Sequence, residues 1–318
     1  MRKRVLVLHY SQTGQLTSAI RSMIGPLERD PEIEVTWEEL KPVRPYPFPW
    51  PLLQFFDVFP ESVFLDPPAM QPVAFDPDSR FDLVVIAYQV WFLSPSLPVT
   101  GFLKSEAARV LDGAPVVTVI VCRNMWLTAQ EKMRALIEAR GGRLVDNVAL
   151  VDRGSPWTTF VTTPRWLLTG RKGPFWGIFP GAGVSRQDIE GAARFGRALA
   201  DGLRKTGDGP VRESMLAGLG AVRVNPAYIM SERMGQRSFR AWGRLLRALG
   251  PPAAPLRRVA LVVYVVFLVC LILTVVPLGI VVRAVLRPFL RRRLDAEVAR
   301  LEGPSGSSTE RVQSFGSA

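Results

Sequence analysis

The sequence predicts an α/β fold, a doubly wound five-stranded parallel sheet followed by a C-terminal membrane helix. Two observations support this prediction. Short apolar runs alternate with helix-like stretches over the first two thirds of the chain, which is the pattern of β-α-β units. Further along, residues 259–282 form an uncharged stretch that would be about 36 Å long as a helix, enough to cross a bilayer.

Helix-like stretches separate the five predicted strands, and another at Gln187–Lys205 closes the domain, which we place at residues 1–206. Such an alternation gives a doubly wound sheet with the expected order 2-1-3-4-5 and a ligand site at its switch point. Loops at the carboxyl ends of the strands should therefore meet at one edge. The predicted strands are Val5–Leu8, Ile33–Trp37, Phe81–Ala87, Pro115–Val121 and Leu144–Val151.

The first of these loops, residues 11–17, is a hydroxyl-rich turn between a strand and a helix. Unpaired backbone N–H groups at a helix N-terminus, with Ser and Thr hydroxyls beside them, make a site for a phosphate. The glycine spacing matches neither the G-x-G-x-x-G dinucleotide fingerprint nor the P-loop, so neither a nicotinamide nor ATP is indicated. An ordinary capped turn without a ligand is the alternative interpretation.

This loop resembles the flavodoxin phosphate loop, Ser/Thr-x-Thr-Gly-x-Thr, with Leu16 in place of the last hydroxyl and Thr17 one position later. The resemblance implies a flavodoxin-like fold and an FMN cofactor whose 5′-phosphate is held by hydroxyls and backbone N–H groups of the loop. The residues that it assigns to FMN are Ser11, Gln12, Thr13, Gly14, Gln15 and Leu16.

The loop after the third strand carries aromatic side chains, which can stack on an isoalloxazine ring. From Trp91 to Lys104 it resembles the second flavin loop of the quinone-reductase branch of flavodoxin-like proteins. Trp91 is the predicted stacking residue, and a buried aromatic that closes the sheet is the alternative. Tyr88, Gln89 and Phe92 are predicted to lie beside it, and Tyr88 is also the proposed general base.

The loop after the fourth strand contains Cys122, Arg123, Asn124 and Trp126, all assigned to the flavin site. We expect Asn124 and the backbone amides to bind the pyrimidine edge of the flavin, and Arg123 to stabilise the anion that two-electron reduction produces. Cys122 is interpreted as a small packing residue rather than a redox partner. Two distant cysteines and one histidine predict no metal site.

Two aromatic segments extend the domain. The Pro-rich insertion at residues 41–80 is predicted to form a lid or the wall of an apolar substrate pocket, with extra core as an equal alternative. Residues 152–186 alternate aromatic and basic side chains, which suits a membrane interface. The same composition could stack on single-stranded nucleic acid, but no OB or RRM pattern accompanies it, so no nucleic-acid partner is expected.

The C-terminal third contributes many of the basic residues behind the net charge of +12. We predict a linker and an amphipathic basic helix at 207–257, a transmembrane or re-entrant anchor at 258–293, and a polar tail at 294–318 that is disordered over residues 303–318. Arginines on both flanks favour anionic lipid and leave the orientation open. They are Arg240, Arg244, Arg247, Arg257 and Arg258 before the anchor, and Arg283, Arg287, Arg291, Arg292 and Arg293 after it.

The first apolar run is too short for a secretory signal, so we expect a membrane protein whose N-terminal domain lies in the cytoplasm. Most of the chain is similar to bacterial proteins labelled dialkylresorcinol condensing enzymes. Condensation would need a nucleophilic Cys with His partners, which a chain with only His9 lacks.

The resemblance instead implies a flavin-dependent oxidoreductase, the partner of a ketosynthase, that oxidises an apolar, lipid-like dialkyl-cyclohexanedione to a dialkylresorcinol. In this hypothesis the flavin N5 accepts a hydride while a base removes the neighbouring proton. The alternatives are a membrane-bound NAD(P)H:quinone reductase and a non-catalytic membrane scaffold with the same fold.

Overall fold

Five parallel strands form the central sheet of the computed structural model, which describes residues 2–207 and 209–316 except for the side chains of 156 and 275–293. The strands are β1 (Lys3–His9), β2 (Ile33–Glu39), β3 (Leu83–Tyr88), β4 (Pro115–Cys122) and β5 (Arg143–Val151). Their order is β2-β1-β3-β4-β5, which confirms the predicted flavodoxin-like order 2-1-3-4-5.

Helices pack on the sheet and continue beyond it. They are α1 (Gln15–Glu28), α2 (Leu52–Asp57), α3 (Phe59–Phe64), α4 (Leu97–Lys104), α5 (Leu127–Glu138), α6 (Pro156–Thr169), α7 (Arg186–Gly191), α8 (Ala193–Lys205), α9 (Pro226–Ala248) and α10 (Pro255–Glu302). α1 and α8 pack so closely that a Cβ on Gly196 would lie 1.7 Å from the carbonyl oxygen of Met23. Only glycine fits at that crossing.

β1 lies between β2 and β3, and its apolar side chains are fully buried, as expected for a parallel strand covered on both faces. The last residue of β1, His9, pairs with Glu39 of β2 and with Ala87 of β3. Farther along the sheet, Cys122 pairs with Val151. This register ends the strands at one edge, so the loops that follow them start side by side.

Two segments that were predicted to be a linker and a disordered tail pack against the edge strand β5. In residues 207–224, the Ala221 carbonyl accepts a hydrogen bond from the backbone N–H of Ala149, at 2.9 Å. In the tail, the Ser305 hydroxyl accepts one from the backbone N–H of Asn147, at 2.8 Å. Both predictions were wrong because an open strand edge has free backbone groups that such segments can pair with, whatever their composition.

α9 and the first turns of α10 pack on the insertion. Phe59 of α3 stacks on Tyr264 of α10 with ring centroids 4.6 Å apart, and Leu246 of α9 is buried in the same cluster. Part of the apolar face of the predicted amphipathic helix therefore packs on the protein, whereas Met234 and Leu245 of the same helix are exposed. The helical part of the insertion forms extra core, which is one of the two interpretations of residues 41–80.

Arg257 is buried in an ion-pair cluster, although the sequence predicted lipid contact for it. Its Nε lies 2.7 Å from Asp57 and its Nη2 lies 2.6 Å from Glu61, and the side chain is 1% exposed. The next residue, Arg258, is exposed. The predicted lipid contacts of Arg283, Arg287 and the arginines at 291–293 fall outside the described side chains.

α10 contains a stretch long and apolar enough to cross a membrane. Within the described residues this stretch is Pro255–Thr274, with a mean hydropathy of 2.5 and 17% of its apolar window buried. Val262, Val263 and Val266 are among its exposed side chains. Length and composition therefore make it a membrane candidate.

Removal of the Arg257 side chain should destabilise the fold, whereas removal of its neighbour should not. Arg257→Ala leaves two acidic groups facing each other without their cation, at a cost of roughly 3 kcal/mol. We expect a lower melting temperature in detergent for Arg257→Ala and no change for Arg258→Ala. Equal melting temperatures for the two variants would contradict the ion-pair cluster.

Candidate functional site

The first loop presents an uncapped helix N-terminus directly after β1. Gly14, the N-cap of α1, has a φ of 77° and makes no side-chain cap, and a Cβ built on it would meet nothing within 4 Å. Beside it, the buried hydroxyl of Ser11 has no hydrogen-bond partner among the described residues. Free N–H groups, an unpaired hydroxyl and open space are the features that a bound phosphate requires.

The side chains of Gln15 and Leu16 point away from this space. Gln15 accepts a hydrogen bond from the backbone N–H of Val184 (3.1 Å) and donates one to the Val184 carbonyl (3.0 Å). Leu16 is fully buried in the core. Only the backbone N–H groups of these two residues are therefore left for a phosphate, as the flavodoxin resemblance implied.

Gln12 joins the first loop to two other segments. Its backbone N–H donates to the side-chain oxygen of Gln89 (3.3 Å), and its side-chain amide donates to the Pro47 carbonyl (2.8 Å). Gln12 and Gln89, both predicted at the site, thus lie together at the sheet edge. The insertion adjoins them.

Trp91 is half-buried at the centre of an aromatic cluster at this edge. It makes edge contacts with Tyr10, Tyr46 and Trp50, with ring centroids 5.9, 5.0 and 5.9 Å away. The predicted stacking residue therefore lies next to the first loop but is covered by rings of the insertion. Tyr46 and Trp50 belong to the insertion at residues 41–80, and neither was among the predicted site residues.

A strained hairpin sets the direction of Trp91. Residues 90–91 pair with 94–95, and the two turn residues Phe92 and Leu93 both have positive φ, 48° and 58°. That backbone suits Asn-Gly and costs larger residues energy. Phe92 packs on Phe55 and Phe59 instead of lying beside Trp91, so its assignment to the cofactor site was wrong.

Tyr88 lies in the core and not at an open site. It is fully buried, and its hydroxyl donates to the side-chain oxygen of Gln130 at 2.7 Å. Burial raises the pKa of Tyr88 well above its ordinary value. The assignments of Tyr88 as general base and flavin contact were therefore wrong, because the last strand residue points inward here.

The third loop is braced by α6 and α9. The Arg123 guanidinium lies 4.0 Å from the ring centre of Phe160, and its Nε donates to the Thr159 hydroxyl at 2.9 Å. Burial lowers the pKa of Arg123 to about 10, which leaves it a cation at neutral pH. Asn124 donates to the Tyr228 hydroxyl at 3.5 Å. Both side chains stay at the sheet edge.

The other two predicted members of this loop are structural. Burial raises the pKa of the Cys122 thiol above its ordinary value, which suits the predicted packing role. Trp126 is buried against the C-terminal part of α10, where it lines a cavity of about 230 Å³ with Arg300 and Leu301. A role for Trp126 in cofactor binding was therefore wrong, because its indole is buried against α10.

Two features near the edge were missed by the sequence analysis. The hydroxyls of Thr162 and Thr163 on α6 are buried without partners in the described part of the chain, and the Thr-rich run around them was a usable signal. Glu232 of α9 accepts hydrogen bonds from the backbone N–H groups of Leu127 (3.2 Å) and Thr128 (2.8 Å). No sequence signal could link these residues across a separation of 105 positions.

Neither of two cavities elsewhere in the fold can hold the ring of a flavin whose phosphate lies at the first loop. A cavity of about 570 Å³ lies between α1 and α8, lined by residues such as Arg29 and Arg204, and neither it nor the cavity beside Trp126 borders the first loop. At the first loop the volume is occupied by the rings around Trp91. A ring bound there would require these side chains to move apart.

No model of a protein family matches the sequence, and no curated protein matches it either. Three solved structures to which the chain is similar are flavoproteins. A flavoprotein in complex with FMN from Lactobacillus acidophilus NCFM is 16% identical, with a TM-score of 0.38 over 46% of this chain and 93% of that one.

A flavodoxin from the domain Archaea is 9% identical, with a TM-score of 0.35 over 63% of this chain and 99% of that one. A WrbA-like flavodoxin from Agrobacterium tumefaciens is 11% identical, with a TM-score of 0.35 over 64% of this chain and 98% of that one.

Glu232 should make the stability depend on pH. Burial raises its pKa from 4.5 to about 7, although the backbone donors of Leu127 and Thr128 oppose this. The folded state holds a proton on Glu232 that the unfolded state releases. The contribution of Glu232 to the free energy of unfolding is therefore largest below about pH 4.5 and falls as the pH rises through about 7.

We expect this fall to be larger in the natural protein than in Glu232→Gln, by on the order of 2 to 3 kcal/mol. Urea unfolding in detergent across this pH range measures it. Glu138→Gln, which changes an exposed carboxylate on α5, is the control and should keep the natural slope. An unchanged slope in Glu232→Gln would contradict the raised pKa.

Proposed function

We propose that the chain binds FMN at the carboxyl edge of the sheet and acts as a flavin-dependent oxidoreductase. The observation that carries this proposal is the uncapped N-terminus of α1, with the partnerless Ser11 hydroxyl and the left-handed Gly14 beside it. This arrangement, at the switch point between β1 and β3, suits a phosphate monoester. Ser11, Thr13 and the N–H groups of residues 14–16 would hold it.

The remaining site residues would hold and orient the ring system. FMN, when bound, supplies two-electron redox chemistry by hydride transfer. Trp91 offers an aromatic face once the insertion rings separate, and Arg123 keeps a positive charge near the third loop. Asn124 supplies an amide at the same loop. Together these side chains would exclude water and favour an electron-rich ring.

We propose an apolar ring as the substrate, brought from a membrane. Tyr46, Trp50 and Phe55 cover the site, and α10 carries exposed valines next to the same insertion. A dialkyl-cyclohexanedione that becomes a dialkylresorcinol fits this description, as the resemblance of the whole chain implies, and a ketosynthase would then supply it. The membrane-bound quinone reductase remains the alternative and needs the same apolar surroundings.

The first experiment is a visible absorption spectrum of the detergent-purified protein, with the released chromophore identified by mass. A flavin spectrum and the mass of FMN are the expected result. A colourless protein that also fails to bind added FMN would overturn the proposal and favour a non-catalytic scaffold. Product analysis with lipidic diones and quinones then separates the two candidate reactions.

Loss of the phosphate-binding hydroxyls should weaken FMN binding selectively. Removal of hydrogen bonds to a charged phosphate in Ser11→Ala/Thr13→Ala should raise the Kd for FMN roughly tenfold or more, and leave riboflavin binding unchanged. Ser18→Ala, whose hydroxyl only caps the Gly14 carbonyl within α1, is the matched control. Equal losses for FMN and riboflavin would argue against a phosphate site.

Trp91→Ala should weaken FMN binding by roughly tenfold and brighten the fluorescence of the flavin that stays bound, because an aromatic stack both stabilises and quenches it. Trp91→Phe retains a ring for packing and should give an intermediate result. Trp176→Ala removes an exposed tryptophan whose rings contact Phe175 and Phe179, and it serves as the control. Unchanged quenching in Trp91→Ala would remove Trp91 from the stack.

A further inference from the structure

We propose that the apolar part of α10 enters one leaflet of a membrane and returns to the same side, as a monotopic hairpin. This inference rests on the membrane attachment within the proposed function and adds its topology. The two ends of the apolar segment are both fixed to the same domain. The exposed apolar surface of this segment fits the hydrocarbon of a bilayer.

The entry end is fixed to the insertion. Arg257 pairs with Asp57 and Glu61, and Ala253 donates its backbone N–H to Asp57 at 2.7 Å. Seven residues after Arg257, Tyr264 stacks on α3 and contacts Trp242 of α9, with ring centroids 5.4 Å apart. The chain therefore leaves the protein only after Tyr264.

The return end is fixed to α5 and to the segment that precedes α9. Arg300 pairs with Glu131 at 2.9 Å, and Glu302 accepts a hydrogen bond from the backbone N–H of Val224 at 3.0 Å. Directly afterwards, the Gly303 carbonyl accepts one from Arg134 at 3.0 Å. The helix thus ends on the domain from which it started.

α10 is one run of helix from Pro255 to Glu302, and its contacts with α9 show that this run is not straight. Trp242 of α9 contacts Tyr264, and Arg233 of α9 forms an ion pair with Glu297. At 1.5 Å per residue, residues 233 and 242 lie about 14 Å apart along α9, whereas 264 and 297 would lie about 50 Å apart on a straight helix. Side-chain reach closes only part of that difference, so the chain turns back between these contacts.

The length of the free segment suits one leaflet. The uncharged residues 269–282 leave about seven residues for each arm, or about 10 Å, which is short of the roughly 30 Å of hydrocarbon that a full crossing requires, and the arginines begin directly afterwards at Arg283. The sequence has Pro277 and Gly279 near the middle, and helices kink at proline. A segment that crossed once would separate its two ends by the bilayer, which the contacts at Arg257 and Arg300 exclude.

A second apolar element lies at the same edge. In the loop after α6, Trp176 is 81% exposed and Ile178 is 73% exposed, while Arg165 lies over the ring of Phe175. This loop belongs to the predicted interfacial segment 152–186. α6 is tied to the insertion by the hydrogen bond from Trp50 N–H to the Leu167 carbonyl, at 2.8 Å. Exposed tryptophan with arginine is the composition of a membrane–water interface.

Cysteine labelling in membranes tests the topology. In a Cys122→Ser/Cys270→Ser background, Leu256→Cys and Ala299→Cys place single thiols at exposed positions before and after the apolar segment. A membrane-impermeant maleimide is applied to spheroplasts and to inverted vesicles of the expression host. We expect both thiols to react from the cytoplasmic side only. Reaction from opposite sides would overturn the hairpin.

The natural Cys270, in a Cys122→Ser protein, reports whether the segment is in lipid at all. We expect it to resist the impermeant maleimide in vesicles of phosphatidylcholine and phosphatidylglycerol and to react in detergent. Reaction at equal rates would overturn the proposal. Spin labels at 256 and 299 give an independent distance, which a single crossing would place beyond about 30 Å. Flavin content is measured separately. A protein that forms the hairpin but binds no FMN would refute the cofactor proposal and leave the hairpin proposal standing.

Discussion

Parallel pairing of β1 with both β2 and β3 is the interaction on which the rest of the structure depends. It buries the first strand on both faces and ends three strands at one level, His9 beside Glu39 and Ala87. The loops that follow must then share one edge, and α1 must start there with its N–H groups unpaired. A ligand with a phosphate is the simplest partner for such an end.

Aromatic packing at this edge offsets local strain. Two consecutive non-glycine residues with positive φ, Phe92 and Leu93, cost about 1 kcal/mol or more each. Phe92 offsets this conformational cost by packing on the insertion. Trp91 packs on Tyr10 and Trp50 instead. One hairpin therefore joins the candidate cofactor site to the cluster that holds α9 and α10. The rings around Trp91 and the packing of α10 are physically connected through it.

The C-terminal third is part of the domain and not an appendage. Asp146 of β5 accepts hydrogen bonds from Met215 N–H and from the Ser305 hydroxyl, so one buried carboxylate holds both the presumed linker and the tail. At the insertion, the buried cation of Arg257 likewise joins α10 to Asp57 and Glu61. Buried charges stay only where they are paired or hydrogen-bonded, and each of these two groups joins segments far apart in sequence. The apolar segment is held between them.

The sequence by itself determined the strands, their order and the strand–turn–helix structure of the first loop. Each of these depends on local hydrophobic period, turn residues and the rule for open α/β sheets. It also indicated the apolar stretch of α10. Which side chains reach the site was decided by tertiary structure. Tyr88, Phe92 and Trp126 look like site residues in the chain, but a strand end, a hairpin and a helix start each turn them into the core. The environment of Glu232 and the contacts that fix the two ends of α10 depend on long sequence separations, which no local pattern encodes.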